Sequence, residues 1–191
     1  MTALHLVHCS PVADLKVTKA HAHAAFDCCL FFTGVEADLD DAEAICEGAY
    51  VTSIDGDHIH VLDVEWDYIA ARGLDLDEQA ERDIRKIFSQ AWEAAEDRRE
   101  MECEGDDRAF VRREFDPTDI LRGDEEAFVD EDGKASWALQ RIRAQTARRA
   151  GYTAVKDWDE QGDVYIVDFA ERENELNAGW RYVGRYSEIC G

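Results

Sequence analysis

The sequence predicts one α+β domain with a helical, acidic insertion at about residues 75–133 of the 191-residue chain. Two observations predict this fold class. Short segments rich in β-branched and aromatic residues lie at both ends of the chain, and the middle places apolar residues at helical spacing. No Pro-rich or Ser-rich linker separates these segments, so we expect residues 1–191 to fold as a single unit.

Two strands are predicted near the amino terminus. Residues 3–10, ALHLVHCS, alternate apolar and polar positions and end before Pro11, which has no N–H to donate to a ladder. CCLFF, residues 28–32, is a compact apolar run of the kind that forms a buried strand. We expect Thr33 and Gly34 to close that strand.

A helix and a hairpin are predicted next. DLDDAEAICEGA, residues 38–49, carries acids in its first turn and a glycine near its end, so it predicts a short helix that stops at Gly48. Two β-rich runs lie on either side of Asp55 and Gly56, and they predict a hairpin over residues 50–66.

The rest of the chain predicts two helices, a hairpin and a last strand. One helix opens the insertion. Residues 134–151 form the other, with Ser136 as the N-cap, Trp137 on the apolar face and a glycine stop. Residues 151–169, GYTAVKDWDEQGDVYIVDF, predict a hairpin whose turn is DWDEQG. WRYVGRY, residues 180–186, predicts one more short strand.

The formal net charge of −23 bounds the classes of partner. Because phosphates repel carboxylates, this charge argues against direct binding to DNA, to RNA or to an anionic membrane. It favours a basic partner. A salt-adapted or GC-rich host would give the same composition with no functional meaning, so both readings stay open.

Cysteine usage and hydropathy indicate the compartment. The six cysteines include no CxxC pair, and the adjacent Cys28 and Cys29 suit a zinc site poorly. The opening residues lack the pattern of a signal peptide, and no stretch approaches the length of a membrane span. We therefore expect a cytoplasmic protein with free thiols.

Histidines provide the first candidate sites. His8 ends the first predicted strand and is followed by Cys9 and Ser10, so it could present an imidazole and two backbone groups to a ligand, or serve only the fold. Two His-x-His pairs, residues 21–23 and 58–60, could each place two imidazoles on one strand face. Neither pair has an evident third ligand for a metal.

Aromatic and acidic residues provide the others. The side chains of Phe26, Phe31 and Phe32 are candidates for the core or for a stacking platform. Asp159 and Glu160, beside Trp158 in the predicted turn, are either solvated or tuned for chemistry by an apolar pocket.

Three stretches together resemble a known family: HCSPV at residues 8–12, FDCCLFFT at 26–33, and SWALQRIRAQTARRAGYTAVKDWDEQGDVYIVDF at 136–169. They are similar to the phage-encoded type I-F anti-CRISPR family of ADP-ribosyltransferases, which has a His-Thr-Ser-Pro-Val opening, a Ser-Trp helix and a DEQG turn. The resemblance implies ADP-ribosyltransferase-like split antiparallel sheets around an NAD cleft. It also implies an enzyme that cleaves NAD⁺, needs no metal and transfers ADP-ribose to a protein.

The resemblance also implies a target and a place of action. In the family, the acceptor is an asparagine on the large subunit of the type I-F Cascade complex, and its modification stops DNA binding. We therefore expect action in the cytoplasm of the infected bacterial host, with no direct contact to nucleic acid or membrane. Two alternatives stay open: an acidic DNA mimic that blocks a basic groove without catalysis, and an ADP-ribosyltransferase that acts on another host target.

Roles for single residues follow from the same resemblance. Asp159 is the first candidate for the catalytic carboxylate, Glu160 the second, and either would stabilise positive charge on the ribose. His8 would hydrogen-bond the adenosine ribose. The further expected NAD contacts are the backbone of Cys9, the turn held by Ser10, the rings of Phe26, Phe31 and Phe32, and Thr33. Val164 stands where many ADP-ribosyltransferases place a Glu, so the acid must come from the turn.

Overall fold

The computed structural model describes residues 3–17, 28–36, 41–53, 56–86, 134–159 and 162–191. Within them the chain forms seven strands: β1 Ala3–Ser10, β2 Cys29–Val35, β3 His58–Glu65, β4 Ile69–Ala70, β5 Ala154–Asp159, β6 Gly162–Asp168 and β7 Trp180–Arg185. The named helices are α1 Ala42–Thr52, α2 Lys134–Arg149, α3 Glu173–Gly179 and α4 Tyr186–Ile189. A 3₁₀ turn spans Trp66–Tyr68, and residues 78–86 are helical.

The strands make one curled sheet in the order β4-β5-β6-β2-β1-β3-β7. Every neighbouring pair is antiparallel except the short parallel pair of β4 and β5. The fold is thus mixed α+β, as predicted, and it is consistent with an ADP-ribosyltransferase-like fold. We call β1, β3 and β7 the amino-terminal half-sheet, and β4, β5 and β6 the hairpin half-sheet.

Strand β2 joins the two half-sheets by changing its partner midway. Its first residues, 29–32, pair with β6, whereas residues 33–35 pair with β1. The β1–β2 ladder ends at Val7 and Thr33. Beyond that point, the end of β1 and the beginning of β2 have no ladder between them in the described residues, so the sheet splits at His8.

Helices cover the same side of both half-sheets. Helix α1 packs on the amino-terminal half-sheet through Ile45 and Ala49, which meet Val7 of β1. Helix α2 packs on the hairpin half-sheet through Ala144 and Ala147. The opposite side is a shared apolar core, whose larger buried members are Leu4, Leu6, Phe32, Leu62, Tyr165 and Phe169. Full burial of a side chain of this size stabilises the fold by about 1.5–3 kcal/mol.

Several predicted elements are confirmed. β1 covers residues 3–10, β7 lies within the predicted 180–186, and the hairpin of β5 and β6 is present. Helix α2 ends just before Gly151, whose φ of +92° suits a residue without a Cβ. Residues 78–86 begin the predicted helix of the insertion, and its remaining apolar positions lie outside the described residues.

Element boundaries near residue 50 were predicted wrongly. Helix α1 begins after the N-cap Asp41 and continues through Gly48 to Thr52, because Gly48 lies against Val35 and Val7 where a side chain would collide. Residues 50–52 are therefore helical, and the predicted hairpin around Asp55 does not form; β3 pairs with β1 and β7 instead. Tertiary packing here overrides local propensity.

Three further boundaries differ from the predictions. Strand β2 does not end at Thr33 but continues to Val35, because pairing with β1 starts there. Helix α2 starts at Lys134, so Ser136 is not its N-cap, and Trp137 is 39% exposed. The ladder of β5 and β6 reaches the Asp159–Gly162 pair, so most of the predicted turn DWDEQG belongs to strands.

The expectation of free thiols is wrong for one pair. Cys46 of α1 and Cys190 form a disulfide that closes a span of 144 residues. Their Cα atoms are 5.5 Å apart because α4 packs back onto α1. Cys9 and Cys29 are buried, and Cys28 is partly exposed.

Among the helices of the described residues, none is both long enough and apolar enough to cross a membrane.

Candidate active site

The split in the sheet is closed at one point by the side chain of His8. The Nδ1 atom of His8 lies 3.0 Å from the carbonyl oxygen of Phe31, on the strand that has just left the β1 ladder. Because a carbonyl oxygen can only accept, Nδ1 carries the proton and donates it. The imidazole thus takes the place of a ladder hydrogen bond at the start of the split.

Burial keeps the imidazole of His8 neutral. Desolvation by burial, together with a smaller effect of nearby His60, lowers the pKa of His8 from 6.5 to about 4, against the opposing effect of the Phe31 carbonyl. The ring is therefore neutral at pH 7. With the proton on Nδ1, Nε2 has a lone pair and can accept a hydrogen bond from a hydroxyl group.

The next residue, Cys9, is held by helix α1. Its backbone N–H donates to the Thr52 hydroxyl at 3.0 Å, and its thiol donates to the carbonyl of Ala49 at 3.5 Å. Thr52 is buried at the end of α1 and also donates to Ala49 at 3.4 Å. Helix α1 therefore places the backbone that lines one edge of the split.

Ser10 and His60 tie the segment after β1 to the sheet. The Ser10 hydroxyl donates to the carbonyl of Val12 at 2.6 Å, and Nε2 of His60 lies 2.9 Å from the carbonyl of Ala13. Nδ1 of His60 is 3.4 Å from the Ser10 hydroxyl. His8 and His60 are directly opposite each other on β1 and β3, so His8, Ser10 and His60 form one polar patch.

Two of the predicted phenylalanines point to opposite sides of β2. Phe32 is 1% exposed and lies between the ring of His8, with centroids 5.5 Å apart, and the stacked ring of Trp180, also at 5.5 Å. Phe31 is partly exposed and packs on the α2 side with Cys29. The structure therefore places Phe32 against His8 and places Phe31 on the opposite side of β2. Thr33 begins the pairing of β2 with β1, and Phe26 lies outside the described residues.

The hairpin half-sheet contributes a buried group of charges next to its turn. Asp157 of β5 is 1% exposed and accepts from Arg143 of α2 at 2.8 Å and from Arg72 at 3.0 Å. Its Oδ1 also accepts from the backbone N–H of Trp158 at 2.8 Å. This carboxylate was predicted as a turn residue and is instead a fixed point between a helix, a loop and a strand.

The predicted catalytic acids follow directly along the chain. Asp159 is the last residue of β5 and pairs with Gly162, and the description of Asp159 extends to its backbone only. Glu160 lies outside the described residues. Trp158 is 57% exposed, so the turn that it precedes lies at the protein surface.

A second ion pair crosses the same end of the hairpin. Lys156 and Asp163 are 2.6 Å apart on neighbouring strands, and the ammonium of Lys156 lies 6.0 Å above the ring of Tyr165. The hydrogen bond that Lys156 donates to Asp163 raises the pKa of Lys156, and burial raises the pKa of Tyr165. Both side chains are thus held in their protonated forms at pH 7.

Sequence reasoning missed Thr52, Arg143 and Trp180 as neighbours of the site. Thr52 was hidden by the wrong assignment of its segment to a hairpin. A signal for Arg143 was present, because it stands four residues after Leu139 and four before Ala147, on the buried stripe of the helix. A charge on such a stripe indicates a buried partner.

No metal centre is found within the described ranges, where no group of three or more His, Cys, Asp or Glu side chains could hold an ion. His58 and His60 share the face of β3 as predicted, and their ring nitrogens lie near Tyr182 Oη and backbone carbonyls. The pair His21 and His23 lies outside the described residues.

The order of these features defines a class of protein. A histidine at the end of an early strand, an aromatic strand that leaves it, and a late acidic hairpin make up the pattern of an ADP-ribosyltransferase-like fold. The model of the family described as "Anti-CRISPR Type I-F ADP-ribosyltransferase AcrIF11" matches residues 4–174, and this chain belongs to that family. The family implies a transferase that uses NAD⁺ as its donor substrate and acts against a type I-F CRISPR system.

Solved structures provide one further comparison. A protein described as "Crystal structure of an anti-CRISPR protein" is 18% identical, with a TM-score of 0.38, and the match covers 87% of this chain and 90% of that one. Among curated proteins, none matches this chain.

Proposed function

We propose that the protein is an NAD⁺-dependent mono-ADP-ribosyltransferase that modifies the large subunit of a type I-F Cascade complex and so blocks its DNA binding. Membership of the anti-CRISPR family supports the class of reaction. The observation that carries the proposal is the neutral imidazole of His8, held at the split of the sheet by the Phe31 carbonyl.

The residues at the split suit a dinucleotide that carries ribose hydroxyls. Nε2 of His8 is an acceptor, so it can take a hydrogen bond from a hydroxyl of the adenosine ribose. A protonated imidazole would have lost that capacity. We assign this contact to His8, with Ser10 holding the chain as it turns away from the strand.

The backbone of Cys9 would hold the nicotinamide amide. Its N–H donates to Thr52, so a ligand must exchange with that hydroxyl to reach it. Such an exchange costs little, because Thr52 also has Ala49 as a partner. The proposal therefore includes Thr52 as a group that moves when NAD⁺ binds.

The aromatic contacts are divided between the two sides of β2. Phe32 is covered by Trp180, so we assign to it the support of His8. Phe31 retains exposed surface and is the better partner for a stacked ring. Phe26 and Thr33 remain candidates for the same region.

The reaction requires little beyond positioning and charge. The bond between the ribose C1′ and the nicotinamide nitrogen breaks, and its electron pair leaves with nicotinamide. A bond then forms from C1′ to the amide nitrogen of an acceptor asparagine, which releases one proton to solvent. Asp159, or Glu160, would stabilise the positive charge that develops on the ribose.

The insertion at about residues 75–133 is our candidate for target choice. Binding specificity is often carried by loops and insertions on a rigid scaffold. The described part of the insertion, residues 75–86, includes Asp77, which pairs with Arg149 at the end of α2. The insertion is thereby attached to α2, which packs on the hairpin half-sheet that carries the proposed acids.

The decisive experiment combines the full chain, NAD⁺ and a purified type I-F Cascade complex. We expect a mass gain of one ADP-ribose on the large subunit and loss of DNA binding by the complex. An unmodified complex, in the presence of folded enzyme, would contradict the proposal.

Matched variants test the residue assignments. Of the variants Asp159→Ala and Glu160→Ala, the one that loses ADP-ribose transfer identifies the essential acid. Glu65→Ala, which removes an exposed acid on β3, is the control. Loss of one catalytic carboxylate should lower kcat by at least about 100-fold. Full activity of both Asp159→Ala and Glu160→Ala would rule out the turn as the source of the acid.

The net charge of −23 supports a second candidate, an acidic mimic of DNA that blocks a basic groove. This candidate predicts stoichiometric inhibition that needs no NAD⁺ and weakens with salt. This candidate would be excluded if inhibition requires NAD⁺ and if each enzyme molecule inactivates more than one Cascade complex. Transfer to another protein of the host, identified by mass spectrometry of lysate treated with enzyme and NAD⁺, would favour a different target.

A further inference from the structure

We infer that Asp157, with Arg143 and Arg72, is a positioning residue that holds the end of β5, where Asp159 stands. The inference rests on the proposed function, since it assigns a task to groups beside the proposed catalytic acids. None of the three side chains is assigned to contact NAD⁺ or the acceptor.

The contacts of Asp157 show how such positioning works. Its Oδ2 accepts from Arg143 of α2 at 2.8 Å, and its Oδ1 accepts from both Arg72 at 3.0 Å and the backbone N–H of Trp158 at 2.8 Å. One buried carboxylate thus attaches the backbone next to Asp159 to a helix and to a loop. The amide held directly is that of Trp158, the residue before Asp159.

Stability alone does not explain this group of charges. Desolvation of a buried ion pair offsets most of its Coulomb attraction, and apolar replacements of similar volume are often as stable. Apolar contacts between α2 and the hairpin are already made by Ala144, Ala147, Val155 and Ile166. What the charges add is direction, because a guanidinium donates along fixed lines to one carboxylate.

A matched pair on the same hairpin provides the comparison. Asp168, also 1% exposed, accepts from Arg148 of α2 at 2.6 Å and from the backbone N–H of Ala170 at 3.0 Å. It therefore shares with Asp157 one helix arginine and one following backbone amide, whereas Asp157 also accepts from Arg72. Asp168 lies at the far end of β6, about 20 Å along the strand from the turn.

The experiment compares Asp157→Asn with Asp168→Asn in the full chain. We expect Asp157→Asn to lower kcat for ADP-ribose transfer by about 10- to 100-fold, because small displacements at a reacting centre have effects of that size. KM for NAD⁺ should stay within about twofold, since the proposed nucleotide contacts are on β1 and β2 and not on β5. Asp168→Asn should leave both constants within about twofold.

A conservative variant separates positioning from packing. Arg143→Lys keeps a charge next to Asp157 and should retain more of kcat than Arg143→Met, which has similar volume and no donor. Equal losses of kcat in Asp157→Asn and Asp168→Asn would overturn the inference, as would full activity of Arg143→Met.

Amide hydrogen exchange tests the same inference without activity. We expect faster exchange at Trp158 and at residues 159–162 in Asp157→Asn, and no change there in Asp168→Asn. If wild-type protein transfers no ADP-ribose, the proposed function fails, whereas the exchange result still decides the positioning. If Asp157→Asn does not fold, Arg72→Gln is the second variant, because it removes the more exposed of the two arginine partners of Asp157. Its amide exchange and kcat are measured in the same way, and no change in either would reject the inference.

Discussion

The amino-terminal half-sheet and the hairpin half-sheet satisfy their buried polar groups by different chemistry. In the first, neutral donors meet neutral acceptors: the imidazole of His8 meets a carbonyl, and the N–H of Cys9 meets the Thr52 hydroxyl. In the second, carboxylates meet guanidinium groups, in the pairs of Asp157 with Arg143 and of Asp168 with Arg148.

This difference matches what each half-sheet is proposed to do. A neutral imidazole retains a lone pair with which to bind a hydroxyl, and a neutral contact can be exchanged for a ligand at small cost. A buried ion pair is costly to break and therefore holds a backbone in place. One half-sheet is built to exchange partners and the other to stay fixed.

The largest expected effect is the loss of a buried carboxylate from the hairpin half-sheet. Asp157→Ala removes the carboxylate that pairs with Arg143, whose side chain is only 3% exposed, and we expect the free energy of unfolding to fall by about 3–5 kcal/mol. Asp63→Ala removes an exposed partner of His5 and should cost at most about 1 kcal/mol. Urea denaturation of the two variants checks the difference, and equal losses would remove the contrast between the half-sheets.

Reduction of the Cys46–Cys190 disulfide should act on the amino-terminal half-sheet, because it joins α1 to the carboxyl terminus beside that sheet. We expect a loss of about 2–5 kcal/mol in the free energy of unfolding, seen as a lower Tm in dithiothreitol. The double variant Cys46→Ser, Cys190→Ser should have the Tm of the reduced wild type, whether or not reductant is present. A reductant-independent Tm of the wild type would contradict this prediction.

Acidification should weaken the amino-terminal half-sheet through His8. The pKa of His8 is about 4 in the folded protein, below its ordinary 6.5, so the unfolded chain takes up the proton first as pH falls. Stability is therefore lost between pH 6.5 and pH 4, by about 2 kcal/mol at pH 5. Urea denaturation of the wild type and of His8→Gln, at pH 7 and at pH 5, measures this loss of stability, because the variant lacks the titrating imidazole. Equal pH dependence of the two proteins would refute the prediction.

The smallest expected effect is at the contact of α1 with β2. A Cβ on Gly48 would lie 2.5 Å from Val35 Cγ2, so Gly48→Ala should destabilise by about 1–3 kcal/mol through overpacking. Gly73→Ala is the control, because nothing lies within 4 Å of its Cβ position. Thermal unfolding of both variants distinguishes them, and an unchanged Tm for Gly48→Ala would contradict the close packing.

The sequence predicts best where pattern and packing agree. β1 and the hairpin are both rich in apolar residues and bounded by Pro or Gly, and both were found. The end of α1 was missed because Tyr50, Val51 and Thr52 favour strands, while packing of Gly48 on β2 keeps the chain helical. Local propensity has no information about that contact.

The site was predictable in part. The position of His8 at a strand end follows from the alternation of β1, yet its contact with Phe31 depends on the partner change of β2, a long-range event. The Cys46–Cys190 disulfide was missed because 144 residues separate the two cysteines. Arg143 had a readable signal, since it interrupts an apolar stripe.

Strand β2 has a consequence for how such a protein can change. In the described part of the chain it is the strand that both half-sheets share, so its backbone carries the carbonyl that orients His8 and the ladder that supports the hairpin of the proposed acids. Under the proposed function, a substitution in β2 therefore alters donor binding and chemistry together. Substitutions that adapt the protein to a new target, and that preserve both donor binding and chemistry, therefore have to lie outside this strand.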